Sequence, residues 1–78
     1  MAQISVDSIK KIEKARNSVH DRVRTTYTVF EQDGLKYVQF DTYGRIGRDD
    51  PEKISQSFQF DKETARYVVA LLTSEFEL

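Results

Sequence analysis

The run from residue 25 to residue 43, TTYTVFEQDGLKYVQFDTY, decides the fold. TTYTVFEQ and LKYVQFDTY are both rich in β-branched and aromatic residues, the composition of a pleated, half-buried surface. Between them stands Asp33-Gly34, a dipeptide that tolerates positive φ at both central positions of a tight hairpin turn. A two-residue loop also fixes the register, because residue 32 then opposes residue 35 and every pair outward follows. Glu31 meets Lys36, a favourable charge pair, while Val29 with Val38 and Tyr27 with Phe40 share one face. The other face carries Arg24, Thr26, Thr28 and Phe30 beside Tyr37, Gln39, Asp41 and Tyr43. One face is therefore apolar, and the other is polar with aromatic rings.

Beyond the hairpin, GRIGRDDPEK (residues 44–53) reads as a loop rich in glycine and charge, with Pro51 barring helix or central strand. ISQSFQF (54–60) is a third strand. It directs Ile54, Phe58 and Phe60 to the apolar face, with Gln56 a misfit there, and Ser55, Ser57 and Gln59 to the polar face. Asp61 caps a final helix, and Phe60 with Ala65 forms a hydrophobic staple. Ala65, Val68, Val69, Leu72 and Phe76 make an apolar stripe wide enough to cover the sheet. Tyr67, Leu71 and Leu78 form a second stripe on the opposite side, which one sheet does not need. That surplus points to a symmetric dimer.

Upstream, Ser5 or Asp7 is positioned to cap a first helix running to about Ser18. Ile9, Ile12, Arg16 and Val19 fall near one narrow face, and Lys10, Lys11, Glu13 and Lys14 face water. The expected architecture is thus α+β in one domain, residues 1–78. An N-terminal helix precedes a three-stranded antiparallel curved sheet and an amphipathic C-terminal helix, and QISV at 3–6 is able to supply a short fourth strand. No internal repeat or low-complexity tract interrupts the chain.

Composition narrows the function. A lone core of 78 residues is only marginally stabilising, and with no cysteine neither a disulfide nor a Cys-based zinc site can help. Oligomerisation is the expected source of extra stability. The absence of cysteine suits a reducing cytoplasm, and no apolar stretch suggests a signal peptide or a membrane span. Twelve basic and thirteen acidic residues nearly balance. The first 24 residues nevertheless hold six of the basic groups and three of the acidic ones, a basic third on an acidic body.

Nothing in the sequence assembles a catalytic or metal site. His20 is the only histidine, and it reads as a surface residue at the end of the first helix. No nucleophile-elbow signature places a serine. Asp49, Asp50 and Glu52 lack the spacing of a calcium loop, and Gly44-Arg45-Ile46-Gly47-Arg48 lacks that of a phosphate cradle. The expectation is a binding protein without cofactor, metal or catalytic residues.

What remains is a surface. Tyr37, Tyr43 and Phe30 offer rings, Gln39, Gln59, Ser55, Ser57 and Thr28 offer hydrogen bonds, and Arg24, Arg45, Arg48 and Lys53 stand at the rim. Single-stranded nucleic acid uses such features, stacking its bases on rings while cations follow its backbone. Set against this, antiparallel sheets commonly keep one solvated face, and Tyr and Thr are good strand formers in any case.

The segment from Tyr27 to about Leu72 resembles the core of the positive cofactor four family of transcriptional coactivators, small proteins that bind single-stranded DNA. The likeness lies in element order. TYTVFEQDG leads into Val38-Gln39-Phe40-Asp41-Thr42-Tyr43; a charged loop ending Pro51-Glu52-Lys53 follows, then a short strand and a helix opening on Asp61. The resemblance implies a curved sheet whose dimer, formed partly through the C-terminal helices at Tyr67, Leu71 and Leu78, presents its strands to single-stranded DNA. The family usually begins with a strand where this chain reads as a helix, and its sheet surface is more basic.

Two functions are therefore open. The first is a homodimeric single-stranded DNA-binding accessory factor (RNA being the alternative ligand) in transcription, replication or recombination. Tyr37 and Tyr43 would stack bases, Arg24, Arg45, Arg48 and Lys53 would hold phosphates, and Gln39, Ser55 and Ser57 would make polar contacts. The second is a protein-interaction module, such as a phage-type regulator or inhibitor, indifferent to nucleic acid and engaging a protein partner.

Overall fold

The computed structural model describes residues 1–44 and 53–78. Strand β1 (Ala2–Gln3) and a 3-10 turn (Val6–Ser8) open the chain. Strands β2 (Thr25–Gln32), β3 (Leu35–Tyr43) and β4 (Ile54–Phe60) follow, and helix α1 (Lys62–Phe76) closes it. The sheet order is β1-β4-β3-β2.

The hairpin forms in the register its turn demands. Gln32 opposes Leu35, Glu31 opposes Lys36, and the pairing runs without slip to Thr25 and Thr42. Asp33 and Gly34 both hold positive φ, 53° and 78°, as a twist-matched two-residue turn requires. β4 adds antiparallel to β3 with Phe58 opposite Phe40 and Ser57 opposite Asp41. Near the end of that ladder the register shifts: Gln56 pairs with Thr42 but Ile54 pairs with Tyr43, so Ser55 is an extra residue. This bulge removes Ile54 from the line of Phe58 and Phe60 that plain alternation gives it.

The architecture corrects three expectations. First, the N-terminal helix is absent. Apart from the turn at Val6–Ser8, residues 4–24 are neither helix nor strand, and Ile12 and Val19 lie exposed. A helix this short draws most of its stability from packing an apolar face, and the narrow stripe here has nothing to pack against. Second, the sheet is mixed rather than antiparallel. β1 runs parallel to β4, with Ala2 beside Phe58 and Gln3 beside Gln59, and the Ile4 amide extends the ladder to the Gln59 carbonyl at 3.0 Å.

Third, α1 does not cover the apolar face. Asp61 caps the helix as expected, accepting the Thr64 amide at 2.8 Å, and Glu77 ends it in a left-handed conformation. The helix meets the 3-10 turn and β4, from which it leaves. Thr64 is fully buried there, its hydroxyl accepting the Val6 amide at 3.0 Å and donating to the Ile4 carbonyl at 3.2 Å. Beyond that turn Val69, Leu72 and Phe76 stand exposed, Phe76 by 70%.

The aromatic cluster of the apolar face is well formed. Phe40 stacks on Phe58 at 5.5 Å, Phe60 meets both edge-on, and Tyr27 tilts against Phe40 at 6.2 Å. Yet among the described residues no apolar side chain is buried. The chain exposes 7288 Å², whereas a compact monomer of 9.1 kDa exposes about 4,900 Å², a surplus of roughly 2,400 Å². Its radius of gyration of 14.8 Å likewise exceeds the roughly 11.5 Å of a compact chain this long. Among the described residues no helix is long and apolar enough to cross a membrane.

Candidate nucleic-acid interface

Alternation along β2, β3 and β4 gathers Thr26, Thr28 and Phe30, then Tyr37, Gln39 and Asp41, then Ser57 and Gln59 on the face opposite the aromatic cluster. This face is an organised hydrogen-bonded surface. Gln59 Nε2 donates to Gln39 Oε1 at 2.7 Å, and Gln39 Nε2 donates to Asp41 Oδ1 at 2.9 Å. Ser57 Oγ donates to the same Asp41 oxygen. Asp41 and Ser57 are only 7% and 6% exposed, which a charged side chain tolerates because donors surround it.

Rings stand at both ends of the ladder. Phe30 and Tyr37 stack at 5.4 Å with an interplanar angle of 22°. At the other end Tyr43 shares a hydrogen bond with Thr26 at 3.0 Å, and the Arg24 guanidinium lies 4.1 Å from its ring centroid. Two shallow depressions cross the face and share Gln3 and Gln59. One is lined by Met1, Ala2, Gln3, Gln39, Ser57 and Gln59, and the other by Gln3, Phe30, Gln32, Tyr37 and Gln59. A separate cleft of about 480 Å³ opens at the end of β3, between His20, Asp21 and Val23 on one side and Tyr43, Ser55 and Gln56 on the other.

The residues expected to bind nucleic acid therefore divide. Tyr37 and Gln39 lie together on the polar face. Ser57 lies there too, but Asp41 takes its hydroxyl. Tyr43 and Arg24 are joined to each other, so one ring face is already covered by a cation and Arg24 is more than a rim charge. Ser55 sits in the bulge and lines the separate cleft, away from the ladder. Lys53 is exposed at the foot of β4, and Arg45 and Arg48 lie outside the described residues. Gln3 escaped sequence reasoning as a site residue, because a two-residue strand has no periodicity to read. His20 borders a cleft instead of ending a helix.

The three residues expected at a dimer interface, Tyr67, Leu71 and Leu78, are exposed by 40%, 42% and 83%. Val69, Leu72 and Phe76 of the stripe expected to cover the sheet are exposed as well, while Ala65 and Val68 are half-buried, so the uncovered apolar surface is wider than those three. Among the described residues no three His, Cys, Asp or Glu side chains gather into a metal-binding group. Comparison with protein-family models, curated proteins and solved structures returns no match.

Proposed function

We propose that the chain works as a homodimeric binding protein for single-stranded nucleic acid, DNA in the first instance, serving transcription, replication or recombination. The observation that carries this reading is the polar face, where stacked rings at Phe30 and Tyr37 adjoin an ordered row of amides along two shallow depressions. Rings accept bases whatever their identity, each worth about 1–3 kcal/mol, and amides satisfy base edges. The order of elements from Tyr27 to about Leu72 resembles that of the positive cofactor four family, and that resemblance supports the same reading.

The exposed apolar side chains support the dimer. Phe76, Leu72, Leu71, Tyr67 and Val69 of α1, with Tyr27 and Val29 of the sheet, form the kind of surface that homodimer interfaces bury. A foreign protein seated on that surface is the second reading, favoured by the same exposure. Light scattering separates them. A stable dimer of the full chain supports self-association, and a monomer that gains order only with another protein supports the interaction module.

Fluorescence anisotropy with labelled oligo-dT at two salt concentrations tests the ligand. The expected result is micromolar or tighter binding that weakens with salt, each phosphate neutralised contributing about −0.7 to the log–log slope. Tyr37→Leu should weaken it by about 5- to 150-fold, the equivalent of one lost stacking contact. No binding even at low salt would refute the reading.

A further inference from the structure

Resting on that single-strand reading, we infer that the depression lined by Gln3, Gln32, Gln59, Phe30 and Tyr37 is a seat for one unpaired nucleobase, with Asp41 setting the orientation of the amide that reads it. The depression holds about 170 Å³, the scale of a single heterocycle. Its lining carries no charged side chain, so nothing there recognises a phosphate. Three primary amides instead suit a neutral, planar ligand whose edge alternates donors and acceptors, and the stacked pair of Phe30 and Tyr37 borders them.

The orientation follows from the chemistry of the ladder. A carboxylate only accepts hydrogen bonds, so Gln39 must turn its Nε2 towards Asp41 and its Oε1 away. That oxygen in turn needs a donor, and Gln59 Nε2 supplies it. Gln59 is left with its carbonyl oxygen and one N–H, a fixed acceptor–donor edge beside the rings. The four nucleobases all present a neighbouring donor and acceptor, so this edge rewards the presence of a base without choosing among them. Ser57 holds Asp41 from the other strand and keeps the relay in line.

The test compares two labelled oligonucleotides of equal length, oligo-dT and a fully abasic backbone, on the full-length protein. The wild type should prefer oligo-dT by at least ~5- to 150-fold, the increment of one stacked base. Gln59→Leu should narrow that preference. Gln32→Leu, at an exposed position beside the turn and outside the relay, should narrow it too, so that the outcome does not hang on the folding of one variant. Asp41→Asn, whose side chain both donates and accepts, should reduce the preference by releasing the direction of the relay. If the wild type binds both oligonucleotides equally, or if the preference survives in both glutamine variants, the seat is refuted while single-strand binding stands. If neither oligonucleotide binds the wild type, both readings fall.

Discussion

Replacing Thr64 with valine removes one oxygen from a site where its loss can be read with little confusion. Valine matches threonine in shape, so the fully buried position stays filled. Two backbone groups lose their partner: the Val6 amide, held at 3.0 Å, and the Ile4 carbonyl, held at 3.2 Å. Each bond contributes about 0.5–1.5 kcal/mol net, so the pair stabilises the N-terminal segment by about 1–3 kcal/mol. The added methyl offsets up to about 0.8 kcal/mol of that, which leaves a loss of roughly 0.2–2 kcal/mol. The loss should be local, because the Thr64 amide keeps its cap at Asp61 and the central strands do not depend on Thr64. Amide exchange is the assay. Exchange at Val6, and at Ile4 where the amide bonds to Gln59, should accelerate by up to about 30-fold, while β2, β3 and the helical signal near 222 nm hold. Unchanged exchange at both amides would refute the account, as would global unfolding with loss of helix. Because β1 also carries Gln3 to the candidate base seat, a modest drop in oligo-dT affinity should accompany the change.

Gly34→Ala tests the turn. Nothing lies within 4 Å of an added Cβ, so the cost is conformational and arises from a φ of 78°; it should be about 1–2 kcal/mol, read from a denaturation midpoint, with the register unchanged. Asp61 gives a pH signature. The Thr64 amide, donating to it at 2.8 Å, draws the Asp61 carboxyl below its ordinary value of 3.8. A lowered folded value means that the cap contributes fully above the unfolded value and is lost as pH falls through the folded one. Helical signal should therefore decline below about pH 4, and Asp61→Ala should remove that acid-dependent step. A step of equal size in the variant would assign it to other carboxylates.

The surface division was legible wherever alternation and a tight turn settle it. Asp33-Gly34 fixes the β2–β3 register within a few residues of chain, so Tyr37 and Gln39 could be assigned to one face in advance. The fate of individual polar groups was less legible. That Ser57 is spent on Asp41 depends on the β3–β4 register, which a ten-residue charged connection does not fix. The cation over Tyr43 depends on where the chain enters β2, and the bulge at Ser55 leaves no mark on a pattern of period two.

The sequence by itself determined the hairpin, the third strand and the capped C-terminal helix, because each is specified by neighbours in the chain: a turn dipeptide, side-chain period and a cap. Only the tertiary structure decided the rest. The N-terminal segment stays unwound because no surface receives its narrow stripe. β1 pairs parallel to β4 through contacts more than fifty residues away in the chain. And α1, anchored at Thr64, leaves the apolar face of the sheet open. Burial is a property of what an element meets, and amphipathic patterning records which face seeks cover without recording what supplies it.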